Sequence, residues 1–454
     1  MNLKKNDIIK LNIISLSSEG SGVAKTEEGI TVFVPNSAVG DELNVRIVKV
    51  QKTYAFGRVE EIITPSPDRI IPTCKVGNKC GGCVYSHISY DAELKAKEQR
   101  VKDALERIAK LNISVNPIVS TGEIVRYRNK AMIPVGLGKD GKIIMGFYSN
   151  HSHRIVEYDD CTLQPQCFLK AAEILKAFLE NHNISIYNEV THKGLFRHLY
   201  LRIAENTDEF MITLVINGNE LPFSDVLVNA FKSELLNLKS VVLNINKEDT
   251  NVVLGKKSKI LYGNGFITDV LCSLKFKISP QSFYQVNRKG AELLYNKAAE
   301  YADLKGDEVL LDLYCGTGTI GLTMAHKSKN LIGVEIVPKA IEDAKENART
   351  NGIKNARFIC GDAAKAAETL KAEGLAPDVI IIDPPRKGCD KSLINTISDM
   401  NPKRVVYVSC DPATLARDLA MFSELGFIAQ EATPVDMFPR TAHVESVVLM
   451  SRII

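Results

Sequence analysis

The 454-residue sequence predicts a multidomain protein. Its parts are an N-terminal OB-like β-barrel over residues 1–64, a central α+β domain with a cysteine-rich knuckle over 65–275, and a C-terminal α/β Rossmann-like domain over 276–454. Three observations carry this reading. Short β-branched runs separated by Gly and Pro turns fill the first 64 residues. Amphipathic helices mixed with strands occupy the middle. From about Leu304 strands and helices alternate regularly, as in a parallel sheet covered on both faces.

Composition excludes several classes. Hydrophobic residues at 45% and charged residues at 24% rule out a disordered or fibrous chain, and 57 Lys+Arg against 54 Asp+Glu leave a net charge of +3, which selects no partner. No apolar run reaches the roughly 18 to 20 residues that span a bilayer. The opening MNLKKNDIIKLNII lacks a long apolar segment with a cleavage site. A cytoplasmic protein with no membrane partner is expected, and nothing demands more than a monomer. Ten cysteines then read as buried thiols, metal or cluster ligands, or a nucleophile, rather than as disulfides.

In the barrel, strands are expected at 8–16, 29–34, 43–50 and 54–63, ending at the linker TPSPDR. Small barrels of this type often hold oligonucleotides. Lys+Arg and Asp+Glu balance at nine each over residues 1–70, so a packing domain without a ligand is the plain alternative. The knuckle Cys74-x5-Cys80-x2-Cys83 follows, a ligand-like spacing one sulfur short, with Cys161 or Cys167 available as the fourth. Four thiolates suit zinc or an iron-sulfur centre equally.

A helix over 91–111 leads to a basic stretch in which Arg126, Arg128, Lys130, Lys139, Lys142 and Arg154 face the single acid Asp140, a local net of +5 beside His151 and His153. Such a patch is the footprint of a phosphate backbone, and Arg126, Arg128, Lys130 and Arg154 are its candidate RNA-binding residues. Between 165 and 275 a helix at 168–181 and strands at 199–203, 210–215 and 240–246 carry no chemical signature.

In the last domain strands are expected at 308–314, 331–336, 356–359, 378–383, 404–409 and 445–450, with ligands at their carboxyl ends. Gly316, Gly318 and Gly321 form a G-x-G-x-x-G loop, a weak signal shared with dinucleotide proteins. Asp312 in the first strand, Glu335 ending the second and Asp362 ending the third place one acid on each. That suits a ligand with an adenosine, a free amino group and a sulfonium but no pyrophosphate, which is S-adenosylmethionine.

The fourth strand ends in Asp383-Pro384-Pro385-Arg386 and the fifth in Ser409-Cys410-Asp411-Pro412. A cysteine at a strand's carboxyl end reads as a nucleophile more readily than as a packing thiol. Uracil supplies a reason for one: its C5 is a poor nucleophile until a thiolate adds to C6. A base must then remove the C5 proton, and Glu445 in TAHVESVVLM is the candidate, with an edge-strand acid facing water as the plain alternative. Pro385-Arg386 departs both from the Pro-Cys pair of RNA cytosine-5 enzymes and from the Asp/Asn-Pro-Pro-aromatic motif of amino-group methyltransferases.

FYQVN at 283–287, DLYCGTGTIGL at 312–322, DPPRKG at 383–388, SCDPATLARDL at 409–419 and HVESVVLM at 443–450 resemble the RNA uracil-5-methyltransferase family. The resemblance implies a class I methyltransferase domain, with Cys410 as nucleophile and Glu445 as proton acceptor. Gln285, Tyr314, Glu335 and Asp383 then fall at cofactor positions, with Phe283 and Asp383 at the target base. C-x5-C-G-G-C and DCTLQ at 160–164 are similar to the 23S rRNA branch of that family, which implies a [4Fe-4S] cluster on Cys74, Cys80, Cys83 and Cys161 that organises the RNA-binding region. The same branch carries an N-terminal TRAM barrel, and the tRNA branch is expected to lack both. The resemblance therefore implies 5-methyluridine formation in 23S rRNA, on a uracil flipped out of a single-stranded or loop region. A tRNA uracil methyltransferase, a non-catalytic ribosome-binding factor and an iron-sulfur oxidoreductase are the rivals.

Overall fold

The computed structural model describes residues 3–150 and 152–452; His151 of the basic stretch lies outside the described residues. The barrel is built from β1 (Ile8–Asn12), β2 (Ser15–Leu16), β3 (Gly22–Lys25), β4 (Thr31–Val34), β5 (Glu42–Val50) and β6 (Tyr54–Thr64), in the order β1-β5-β6-β4-β3-β2. Alternation sends Val32, Val34, Leu43, Val45 and Ile47 inward. Gly57 is required where β6 crosses that core, because a Cβ there would lie 2.2 Å from Val45 Cγ1. The TPSPDR linker is not free: buried Asp41 accepts hydrogen bonds from the Ser66 amide at 2.9 Å and from Arg69 Nε and Nη2 at 2.7 Å each.

The middle of the chain holds α1 (Tyr90–Ala104), β7 (Ser114–Val115), β8 (Lys130–Leu137), β9 (Ile143–Tyr148), β10 (Ile155–Glu157), α2 (Gln166–Asn181), β11 (Phe196–Ala204), β12 (Glu209–Ile216), α3 (Ser224–Glu234), β13 (Leu238–Ile245), β14 (Lys257–Tyr262), and the hairpin β15 (Ile267–Leu271) and β16 (Leu274–Ile278). Seven strands form one sheet, β10-β9-β8-β11-β12-β13-β14, sharing a core with α2 and α3 through Phe168, Leu175 and Phe231. The span 65–275 is not a single body, however. Val101 and Leu105 pack into the core of the C-terminal domain and β7 joins its sheet beside Glu431 and Ala432, so the chain near residues 90–119 belongs there spatially.

The C-terminal domain contains α4 (Arg288–Ala302), β17 (Val309–Leu313), α5 (Thr319–Met324), β18 (Asn330–Glu335), α6 (Pro338–Thr350), β19 (Ala356–Cys360), α7 (Ala363–Ala372), β20 (Val379–Ile382), α8 (Lys391–Asp399), β21 (Arg404–Ser409), α9 (Pro412–Glu424), β22 (Phe427–Val435) and β23 (Glu445–Arg452). Its sheet runs β19-β18-β17-β20-β21-β23-β22-β7. Strands β17 to β21 are parallel as expected, but β23 lies antiparallel between β21 and β22. The sequence does not announce β22, because FIAQEATPV mixes exposed and buried positions and contains a proline. No helix among the described residues is long and apolar enough to cross a membrane.

Candidate active site

Strand order reverses on either side of β17, and a crevice opens there at the carboxyl ends of the strands. It is a cavity of about 1760 Å³ to which all three regions contribute walls. Gln285, Tyr314, Gly316, Glu335, Asp362, Asp383, Phe283, Cys410 and Glu445, each singled out from the sequence, all line it.

The nucleoside end is shaped by the backbone after β17. Tyr314, Gly316 and Gly318 have φ of 66°, 55° and 81°, so the chain doubles back at once into α5. A Cβ added at Gly316 would meet open space, which leaves the backbone free for close approach by a ligand. Glu335 Oε2 accepts from the Gly316 amide at 3.1 Å and its Oε1 from the Val337 amide at 2.9 Å, so the carboxylate is held in place with lone pairs to spare for a diol. Exposed Asp362 caps α7 through the Ala364 and Lys365 amides, both at 3.2 Å.

Asp312 and Gly318 do not line this cleft. Asp312 lies beneath the glycine loop, 1% exposed, with Oδ2 accepting from the Gly321 amide at 2.9 Å and Oδ1 unpartnered. Burial pushes its carboxyl up to about 8, and the charges of Asp383 and Glu335 add to the effect. Asp312 is therefore linked to the cleft through the glycine loop.

The chemical end is set by strand pairing. Ser409 of β21 is opposite Ser446 of β23, so Cys410 and Glu445 are the next residues along the two chains and meet at the mouth of the cleft. Glu445 is 5% exposed and sits on an interior strand, not on an edge. Burial, with repulsion from Asp383, raises its carboxyl to about 8 despite the opposing Arg386. Burial also lifts Asp383 to about 7. The Cys410 thiol is raised to about 11 by burial and by Glu445 and Asp383, and Arg386 again pulls the other way. Sequence reasoning used Arg386 only to disfavour other chemistries. Its position beside two reactive groups is visible only in three dimensions.

Arg386 is placed by its loop. Buried Asp418 of α9 accepts from the Cys389 amide and the Tyr407 hydroxyl, both at 2.7 Å, and Arg417 Nη2 donates to the Lys387 carbonyl at 2.8 Å. Behind Glu445, the 436–444 loop is pinned by a fully buried ion cluster. Lys97 Nζ donates to Glu93 Oε1 and Asp436 Oδ1 at 2.7 Å each and to the Phe438 carbonyl at 3.1 Å.

The basic stretch divides. Arg128, Lys130 and Arg154 line the cleft, and burial with the neighbouring Arg202 and Arg128 charges lowers Lys130 to about 8. Arg126 does not line it. Its guanidinium pairs with Asp160 at 2.5 Å and donates to the Cys161 and Gln164 carbonyls at 2.9 and 2.7 Å, so its donors are directed to the Cys161 loop.

The four cysteines converge next to the cleft, where Cys80 and Cys83 form part of the wall. Burial and the mutual charge of Cys161, Cys80 and Cys74 raise the Cys83 thiol to about 12. Cys167 packs instead against the core of the middle domain. Among the described residues, however, no group of three or more His, Cys, Asp or Glu side chains is arranged to hold a metal ion. The four thiols are thus neighbours, and no single-ion site is shown among them.

Comparison with known proteins agrees with this geometry. Residues 89–453 match the model of the tRNA (uracil-5-)-methyltransferase family, and residues 4–59 match the TRAM domain. An uncharacterized RNA methyltransferase from Halalkalibacterium halodurans is 45% identical over 99% of this chain and 98% of its own length. One from Clostridium tetani is 46% identical over 99% and 97%. Among solved structures, Pyrococcus abyssi tRNA (uracil-54, C5)-methyltransferase in complex with S-adenosyl-L-homocysteine matches with a TM-score of 0.77 and 30% identity, covering 97% of this chain and 99% of that one. That coverage is too complete to omit a 64-residue barrel, so the expectation that tRNA enzymes lack one is overturned. On the cleft geometry and these matches together, the chain belongs to the RNA uracil-5-methyltransferase family.

Proposed function

We propose that the chain methylates C5 of a uridine in 23S rRNA, in the cytoplasm, through a covalent adduct between Cys410 and C6. The observation that carries the reading is the meeting of Cys410 and Glu445 at one end of a cleft whose other end presents Glu335 and an open glycine loop. Gln285, Tyr314, Glu335, Asp362 and Asp383 would hold S-adenosylmethionine, which supplies an electrophilic methyl group when bound. Gly316, with nothing near its missing Cβ, suits that approach. Cys410 gives up its proton to solvent and its thiolate sulfur adds to C6, which makes C5 the carbon that accepts the methyl group. Glu445, ionised, takes the remaining C5 proton, and the sulfur leaves as the C5–C6 double bond re-forms. Exposed Phe283 and partly buried Asp383 face the extruded base, and the barrel with the basic wall of the middle domain holds the strand.

The choice of 23S rRNA rests on the cysteine motif. A [4Fe-4S] cluster on Cys74, Cys80, Cys83 and Cys161 is supported by the convergence of these thiols, and iron and sulfide analysis of anaerobically purified protein tests it. The archaeal structural neighbour favours a second reading, tRNA. Transfer of labelled methyl to unmodified 23S rRNA and tRNA transcripts, with Cys410→Ala as control, decides between them. Label in 23S rRNA as 5-methyluridine is expected. Label in tRNA alone keeps the chemistry and moves the substrate, and label in neither overturns the reading.

A further inference from the structure

We infer that Phe33, Tyr54 and Phe56 form a stacking platform on the outside of the barrel for unpaired bases next to the target uridine. This rests on the proposed RNA substrate and specifies how the barrel engages it.

The barrel sequence over residues 1–64 contains these three aromatic residues and no others. Its core is aliphatic throughout, with Leu11, Ile13, Val32, Val34, Leu43, Val45 and Ile47 at its centre. Large rings usually serve as core-fillers, yet here all are placed outside. The register explains how. Strands β4 and β6 run parallel with Thr31 beside Tyr54 and Phe33 beside Phe56. Because Val32 and Ala55 point inward, fully buried, the three rings share the outer face. Their centroids are 5.8 Å apart for Phe33 to Tyr54, 5.8 Å for Phe33 to Phe56 and 5.5 Å for Tyr54 to Phe56. Tyr54 and Phe56 each keep 37% of their surface exposed.

Exposed aliphatic side chains such as Ile8, Ile14 and Ile62 also occur on the barrel, but the three rings alone form a contiguous aromatic patch, which marks an interaction surface. Its occupant follows from its position and charge. Phe56 lines the same cleft as Phe283, Cys410 and Glu445, so the patch is continuous with the place where the target base enters. Acids and bases balance across the barrel, which therefore lacks the charge to hold a strand by its phosphates alone. Lys49, opposite Phe56 in the β5–β6 ladder, is a local cation for one phosphate beside a stacked base. Single-stranded RNA is bound through splayed bases on aromatic rings, and every base offers such a face.

The chain has no tryptophan, so Phe56→Trp in the full-length protein is a unique fluorescent reporter. A single-stranded oligoribonucleotide should quench it, and an abasic ribose-phosphate oligomer of equal length should not. A second variant, Phe33→Leu with Phe56→Leu, keeps apolar volume but removes the ring faces. It should raise the KM for RNA by about ten-fold, more than it lowers kcat. No quench, equal quench by the abasic oligomer, or an unchanged KM overturns the platform. Quenching is read without turnover, so its absence strikes this surface alone, whereas failure of the parent protein to methylate any RNA strikes the functional reading.

Discussion

Cys410 and Glu445 stand side by side because Ser409 and Ser446 are ladder partners on antiparallel strands. The 34 intervening residues form α9, β22 and the loop that Lys97 pins, so the pair is a product of the terminal hairpin turning back into the sheet. The Glu445 charge holds the Cys410 thiol up, Asp383 raises both groups, and Arg386 offsets both.

Glu445→Gln removes the proposed acceptor for the C5 proton while leaving Cys410 in place. Turnover should fall by roughly 10² to 10⁴. A covalent protein–RNA adduct that survives a denaturing gel should accumulate, because elimination of the sulfur waits on that proton. Cys410→Ala should lose both product and adduct.

The pH dependence has a definite sign. In the proposed reaction Glu445 works as a carboxylate, and its carboxyl is raised to about 8, while Cys410 works as a thiolate, and its thiol is raised to about 11. Activity should therefore climb with pH from about 6 to about 9, in contrast to a site with ordinary carboxyls, already ionised there. Arg386→Ala removes a cation that favours both ionised forms. Its profile should shift to higher pH, with roughly ten-fold lower kcat/KM at neutral pH in single-turnover assays.

Asp312→Asn tests the buried acid beneath the glycine loop. The folded carboxyl is raised to about 8, above its ordinary value of 3.8, so the native protein loses stability as pH rises from the lower value to the higher and ionisation is forced on a buried group. The neutral variant escapes this. Its stability relative to the parent should grow between about pH 5 and 9, by roughly 2 to 5 kcal/mol, in urea unfolding at each pH.

Lys97→Met leaves buried Asp436 without its cation and buried Glu93 with only Arg440, at 3.6 Å. A loss of roughly 3 to 5 kcal/mol in unfolding free energy is expected. Because Lys97 also holds the Phe438 carbonyl ahead of Glu445, kcat should fall further than the affinity for RNA.

Salt titrations separate the arginines. Arg128→Ala should weaken RNA binding and reduce the slope of log K against log salt by about one. Arg126→Ala should leave the slope unchanged and instead loosen the Cys161 loop, which it holds through Asp160 and two carbonyls.

Local patterning made much of this protein legible. Alternating β-branched runs revealed the barrel, apolar strands separated by helices revealed β17 to β21, and a cysteine after a strand pointed to the proposed nucleophile, since each signal lies within a few consecutive residues. Other features depend on pairing between distant segments. The sequence of β22 is too mixed to read as a strand, so it could not reveal that β23 is interior and Glu445 buried. Arg126 and Arg128 are two residues apart and equally basic, yet one faces the cleft and the other turns to Asp160. By itself the sequence determined which residue types could act and in what order the strands come. The tertiary structure alone decided their burial, and with it their charge and reach, because desolvation and contact are set by what other parts of the chain pack against a side chain.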